Sequence, residues 1–262
     1  MENSSPSPTS AASPTVFPPN AFNPGLTFLT FTGALLILCI VVIIGLVGWI
    51  AVHGFDIALL NRSLVGFFGI GLQSVAEIVV VLYLLVVLPS IAHTSLRDLG
   101  FRAPSASDAF KIAGAVISMF VLVTALGSLL TTALHFKTQE LAVQVFLHMH
   151  GLDKALFALF AVVIGPVTEE LFFRIFLFNA MRKWWGFWPA AVVSSILFGL
   201  AHGQQPFTAV MVVSLSFPLA IGGVILCLIY VRTGSAWSNI ITHASFNALS
   251  LLLISIAPQF AK

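Results

Sequence analysis

The chain has 262 residues, of which 59% are hydrophobic and only 8% are charged, and its mean hydropathy is +1.07. Soluble globular domains carry about 25% charged residues. This composition therefore excludes a soluble enzyme and predicts an all-α polytopic membrane protein. The net charge of +2 is too small to indicate a nucleic-acid partner. Both cysteines, Cys39 and Cys227, lie in apolar runs, where free buried thiols are expected.

Taken in chain order, the pattern begins with a tail. Residues 1–26 are rich in Ser and Pro and contain no Lys or Arg, which predicts a disordered segment. Residues 27–104 are expected to form N-terminal membrane spans, and residues 105–257 a second membrane domain. The apolar runs predict seven transmembrane helices, at about residues 26–52, 64–93, 109–134, 155–178, 188–202, 208–230 and 236–256.

Three features between the spans complete this outline. The polar stretches 53–56 and 61–63 predict a short loop between the first two spans. The second span contains one acid, Glu77, which we interpret as a structural contact. Over residues 137–150, apolar side chains recur every fourth position, which predicts an amphipathic helix lying along the membrane surface.

The fourth predicted span contains three ionisable residues in an otherwise apolar helix. Each such group at the centre of a membrane helix costs about 2.5–3.5 kcal/mol on insertion scales. Glu170 and Arg174 are four positions apart and share one helix face, so we expect them to form an ion pair. Glu169 is then rotated by about 100° and has no local partner. Pro166 lies just before it and predicts a discontinuity that faces a polar cavity.

Two later spans supply further isolated polar groups. His202 ends the fifth span, and Asn239, His243 and Asn247 form a stripe with a spacing of four on the seventh. If these faces converge on Glu169, the set is competent for peptide hydrolysis. Glu169 would act as general base on a water that His202 helps to orient.

Two mechanisms remain open for this set. In one, His243 and Asn247 stabilise the oxyanion and no metal is needed. In the other, Glu169, His202 and His243 hold a zinc ion with an open water position. A serine nucleophile is disfavoured because no serine stands in a defined relation to a histidine.

These motifs resemble those of the CPBP (Abi) intramembrane proteases, which include the type II CAAX prenyl endopeptidases and bacteriocin-processing or immunity relatives. The resemblance rests on Glu169-Glu170-x-x-x-Arg174, Phe198-x-x-x-His202 and His243-x-x-x-Asn247, with Trp237-x-x-x-Ile241 before the last motif. It covers about residues 105–257. One departure is the number of spans, since the prenyl endopeptidase fold has eight membrane helices and the sequence predicts seven and a surface helix.

The resemblance implies an intramembrane endopeptidase, a class often described as metalloproteases. By it, Glu169 and His202 would activate water, His243 and Asn247 would stabilise the oxyanion, and Glu170 with Arg174 would support the site. The expected location is the cell membrane, as a multi-pass protein. The expected partners are the lipid bilayer and a peptide or membrane-protein substrate, either a CAAX-type tail or a leader or bacteriocin. Two alternatives are a non-catalytic scaffold or immunity protein of the same fold, and a transporter with a proton-relay carboxylate.

Overall fold

The computed structural model describes residues 17–65, 67–135, 141–203 and 208–257. Within these ranges the secondary structure is helical throughout, which confirms the predicted all-α class. The described helices are α1 (Pro24–His53), α2 (Ile57–Val65), α3 (Phe67–Ala92), α4 (Ala106–Ala133), α5 (Leu141–His148), α6 (Gly151–Trp185), α7 (Phe187–Ala201), α8 (Ala209–Thr233) and α9 (Ala236–Ile256).

Six of these helices are long and apolar enough to cross a bilayer, namely α1, α3, α4, α6, α8 and α9. The predicted fifth span corresponds to α7, which is apolar but has only 15 residues. At 1.5 Å per residue it is about 22 Å long, against about 30 Å for the hydrocarbon core. The chain is therefore an integral, multi-pass membrane protein with one short apolar helix.

The region between the first two spans differs from the predicted loop. Residues 61–63 lie inside helix α2, so the loop prediction was wrong at these positions. The Asp56 carboxylate accepts a hydrogen bond from the Leu59 backbone N–H at 2.9 Å, which is the pairing expected of a helix N-cap. Asn61, Arg62 and Ser63 are polar because they lie on an exposed short helix.

The segment before α1 is folded where the structure describes it. Phe17 and Phe22 are buried, and the Phe22 N–H donates to the Ile91 carbonyl at 2.7 Å. Lys183 Nζ donates to the Pro18 carbonyl at 2.6 Å, and Trp184 Nε1 donates to the Phe22 carbonyl at 3.0 Å. The predicted tail of residues 1–26 is thus packed against α3 and α6 from residue 17, and residues 1–16 lie outside the described part.

The predicted surface helix is represented by α5. Phe146 is buried and its ring lies 5.8 Å from that of Phe157, while Lys154 Nζ lies 4.4 Å above the Phe146 ring. These contacts attach one face of α5 to the start of α6. Residues 137–140, the first part of the prediction, lie outside the described residues.

The helices pack so that α6 lies against α3, α7 and α9, with α8 against α7, α4 and α9. At Gly199 on α7 an added Cβ would collide with the Ser216 carbonyl oxygen on α8, so only glycine permits this approach. Because α3 packs against α6, the predicted N-terminal part, residues 27–104, adjoins the motif-bearing helices. The division at residue 104 stays a prediction.

Candidate active site

Helix α6 is not a regular α-helix near its charged residues. Phe160–Ile164 and Leu171–Phe178 are π-helical, and the α-helical turn Gly165–Glu170 lies between them. Pro166 has no N–H to donate to the preceding turn, and the Gly165 N–H bonds to the Phe160 carbonyl, five residues back. The discontinuity expected at Pro166 is therefore a widened turn, of the kind that often marks functional sites.

Glu170 and Arg174 form the predicted ion pair. Arg174 Nη1 donates to Glu170 Oε1 at 2.9 Å, and both side chains are fully buried. Glu170 accepts two further hydrogen bonds, from His243 Nδ1 at 2.8 Å and from the Asn239 amide. A buried carboxylate with three donors, one of them a guanidinium, is compensated in the way that burial of a charge requires.

Glu169 lies in a different environment. Its side chain is 26% exposed, and its two oxygens face different histidines. Oε1 lies 3.7 Å from His202 Nε2, and Oε2 lies 3.6 Å from His243 Nε2. These separations are longer than direct hydrogen bonds. The carboxylate is therefore accessible and flanked by two imidazole nitrogens, as the motif spacing predicted.

His202 is held by its own helix. Its Nδ1 lies 2.9 Å from the Phe198 carbonyl oxygen. A carbonyl can only accept, so Nδ1 carries the hydrogen and Nε2 is the nitrogen directed at Glu169. The Phe198 ring also contacts the His202 ring at 4.7 Å and lies 4.2 Å from Arg174 Cζ. The first residue of the Phe198-x-x-x-His202 motif thus joins the buried ion pair to the histidine, a role that we did not predict.

His243 links the two glutamates. Its side chain is 4% exposed, with Nδ1 bound to Glu170 and Nε2 facing Glu169. Asn239, one helical turn earlier, donates to the other oxygen of Glu170. Asn239 was seen as part of the polar stripe but was given no role. Its spacing of four from His243 was the signal that the two share a partner.

Asn247 lies further along the same face and binds a backbone group. Its Nδ2 donates to the Ala161 carbonyl at 2.7 Å, within the first π-helical turn of α6. An amide has two N–H groups, so one remains beyond this bond. The polar stripe of α9 therefore contacts α6 at two levels, at Glu170 and at the widened turn.

Part of this site borders a cavity of about 1670 Å³. Glu169, His202, His243 and Asn247 form its polar part, and most of the remaining lining is apolar. Its other lining residues come from α2 to α9 and include positions at or near the ends of helices, namely Leu64, His135, Val143, Gly203 and Ala257. These ends lie on the side of the membrane opposite to the segment 17–23, so the cavity extends toward that side.

The zinc alternative stays a prediction. Glu169, His202 and His243 converge, but no group of three or more His, Cys, Asp or Glu side chains in the described ranges is spaced to hold a metal ion. The three candidates are all within those ranges. The functions assigned to the site residues stay predictions.

Comparisons with known proteins agree with the motifs. Residues 151–249, from the start of α6 to the middle of α9, match the family model described as type II CAAX prenyl endopeptidase Rce1-like. A protein of Bacillus subtilis (strain 168), named "Putative membrane peptidase YdiL", is 26% identical over 91 residues. That stretch is 35% of this chain and 34% of the relative, so the chain matches about a third of its length. No solved structure matches significantly.

The matched segment contains every residue of the three motifs. It also contains the widened turn of α6 and the α9 residues that contact it. The resemblance predicted from the motifs is therefore confirmed over residues 151–249, which are similar to the Rce1-like family.

Proposed function

We propose that the chain is an intramembrane endopeptidase that hydrolyses a peptide bond with a water activated by Glu169. One observation carries the proposal. The two oxygens of an accessible carboxylate face two imidazole Nε2 atoms, at 3.6 and 3.7 Å, inside a cavity of a membrane protein. An ionisable residue inside the membrane indicates function by default, and Glu169 is the more accessible of the two adjacent glutamates.

The first step is the attack of water on the peptide carbonyl carbon. A water bound to Glu169 loses a proton to the carboxylate as its oxygen forms the new bond to carbon. His202 presents Nε2 on the same side because the Phe198 carbonyl fixes the hydrogen on Nδ1. His202 can therefore accept a hydrogen bond from that water and orient it.

The second requirement is stabilisation of the oxyanion. Because Nδ1 of His243 donates to Glu170, a hydrogen on Nε2 makes this histidine an imidazolium. Two carboxylates, Glu169 and Glu170, are then balanced by Arg174 and His243, and the cluster is neutral. A neutral cluster is favoured in a membrane interior. The Nε2–H would bind the oxyanion, a contribution of about 2.7–4 kcal/mol per donor in other enzymes.

Completion of the reaction returns the proton. Glu169, now protonated, donates it to the amide nitrogen as the carbon–nitrogen bond breaks, giving a carboxylic acid and an amine. The second amide N–H of Asn247 is available to the oxyanion while the first binds Ala161. No step uses a metal ion.

The cavity suggests the substrate class. Small-molecule sites usually enclose about 300–1,000 Å³, and this cavity is larger and mainly apolar. It suits an extended polypeptide with apolar or lipidated flanking parts. We therefore expect a membrane-associated peptide or protein as substrate.

The test is hydrolysis of a fluorogenic peptide panel by the full chain in liposomes. Glu169→Gln should reduce kcat/KM at least about 100-fold, since general bases contribute about 10²–10⁴-fold. It should change the unfolding midpoint only slightly, because Glu169 is part-exposed and its contacts with the two histidines are 3.6 and 3.7 Å long. Asp153→Asn also replaces a carboxylate of α6 by an amide, at the exposed start of the helix, and should have an effect at least tenfold smaller.

Two outcomes would contradict the proposal. Retained activity in Glu169→Gln would remove Glu169 from the reaction, and an inactive wild-type chain across the panel would favour the non-catalytic scaffold. Elemental analysis addresses the metal question separately. The proposed mechanism expects activity without stoichiometric zinc and after treatment with a chelator.

A further inference from the structure

The carbonyl of Ala161 is in an unusual position in α6. In an α-helix it would accept from the N–H of residue 165, and in a π-helix from that of residue 166. Gly165 donates instead to Phe160, and Pro166 has no N–H. Neither backbone group is available to Ala161, so its part-buried carbonyl oxygen needs a donor from elsewhere.

Asn247 supplies the missing donor from another helix. Its Nδ2 lies 2.7 Å from the Ala161 oxygen, and α9 packs against the whole π-helical turn. Membrane helices tolerate a proline where a neighbouring helix satisfies the freed backbone group. Asn247 therefore supplies the hydrogen bond that Pro166 withholds from the Ala161 carbonyl.

The hydrogen bond between Asn247 and Ala161 affects the direction in which the Glu169 side chain points. Each residue of a helix turns its side chain by about 100°, so loss or gain of a widened turn rotates everything that follows it. Glu169 lies four residues after Gly165, and its Oε1 lies 3.9 Å from the point where a Gly165 Cβ would be. The state of the turn thus decides whether this carboxylate faces His202 and His243.

We propose that Asn247 is a positioning residue, which caps the Ala161 carbonyl released by Pro166 and so fixes the widened turn that aims Glu169 into the cavity. This task is separate from any hydrogen bond that Asn247 gives to an oxyanion. The activity part of the inference rests on the proposed peptidase function, and the stability part does not.

A double-mutant cycle between the two positions tests it. Pro166→Ala restores an N–H to the helix, and in either helical register the Ala161 carbonyl then has a backbone donor. Asn247→Leu removes the amide group and keeps a side chain of similar size. We expect Asn247→Leu to lower kcat at least tenfold with little change in KM when residue 166 is proline. With alanine at position 166 its effect on kcat should be at least threefold smaller.

The same cycle is measured on stability, without a substrate. The fall in the unfolding midpoint caused by Asn247→Leu should be clearly smaller in the Pro166→Ala background than in the native one. Ser250→Ala is the control on the same helix, since within the described residues the Ser250 hydroxyl donates to its own helix, at the Phe246 carbonyl oxygen, 2.8 Å away. Its effect should be equal in both backgrounds.

Additive effects would overturn the proposal. If Asn247 acted only on the oxyanion, its loss would cost the same kcat factor with either residue at position 166, and the stability cycle would show no coupling. A chain that is inactive but shows the stability coupling would refute the peptidase function alone.

A second comparison applies should Pro166→Ala fail to fold. Asn247→Gln and Asn247→Asp are then compared in the native background. Glutamine keeps a donor and should retain more stability than aspartate, whose carboxylate faces the Ala161 carbonyl. Equal losses of stability would contradict the capping role.

Discussion

Replacement of Arg174 by methionine tests the buried ion pair at the centre of the site. Arg174 and Glu170 are both fully buried, with Nη1 and Oε1 2.9 Å apart. Removing one partner of such a pair costs about 3–5 kcal/mol, because the other charge remains without compensation. Arg174→Met keeps an apolar stem against the Phe198 ring, so the loss reports mainly on charge.

Two details place the expected cost at the lower end of that range. Glu170 keeps its hydrogen bonds from Asn239 and His243 in the variant. The Nε and Nη2 groups of Arg174 have no hydrogen-bond partner within the described residues, so no hydrogen bond is lost with them. We therefore expect a loss of about 3 kcal/mol, or about a 100-fold fall in the ratio of folded to unfolded protein.

Lys111→Met provides the matched control. Lys111 Nζ lies 2.8 Å from Asp108 Oδ1, almost the same separation, but the lysine side chain is 44% exposed. Exposed pairs contribute about 0–1 kcal/mol. Unfolding of both variants by SDS titration in mixed micelles gives the comparison. If Arg174→Met costs no more than Lys111→Met, the argument that burial makes Arg174 necessary is refuted.

Two further predictions concern helix packing. Gly199→Ala should destabilise the chain by about 1–3 kcal/mol, because the new Cβ meets the Ser216 carbonyl oxygen. Gly114 has open space around it, so Gly114→Ala should be neutral or stabilising. Equal effects of the two changes in thermal unfolding would contradict the close approach of α7 and α8. Tyr230→Phe should cost about 1–3 kcal/mol in the same assay, because the buried hydroxyl donates to the Leu99 carbonyl at 2.8 Å and accepts from the Asn179 amide at 2.9 Å. An unchanged unfolding midpoint would mean that these two hydrogen bonds contribute nothing to stability.

Much of the site followed from spacing in the sequence. A separation of four predicted the Glu170–Arg174 pair and placed Asn239, His243 and Asn247 on one face of α9. Those inferences concern side chains on one regular helix, where the period of 3.6 residues fixes the geometry. The convergence of Glu169 with His202 was a prediction from joint occurrence, and the structure brings the two within 3.7 Å.

The partners across helices were harder to predict. The sequence pattern assigned Arg174 to Glu170 and left the histidines to Glu169, but His243 contacts both glutamates. The Asn247–Ala161 hydrogen bond depends on a π-helical turn. Such a change of helical register leaves no periodic pattern in the sequence, so the bond was not predicted. Helix α2 was missed because Asn61, Arg62 and Ser63 are common in loops, and Asp56, the residue that caps the helix, was assigned to the loop as well.

The short length of α7 has a consequence for the supply of water. A helix about 8 Å shorter than the hydrocarbon core creates a local hydrophobic mismatch, which bilayers accommodate by thinning. His202 follows the last residue of α7, so a thinned bilayer would bring water closer to its imidazole. The hydrolase proposed above would need an apolar substrate and a polar reactant at one point. A helix that ends early would let that substrate arrive along the membrane and water arrive from the nearer surface.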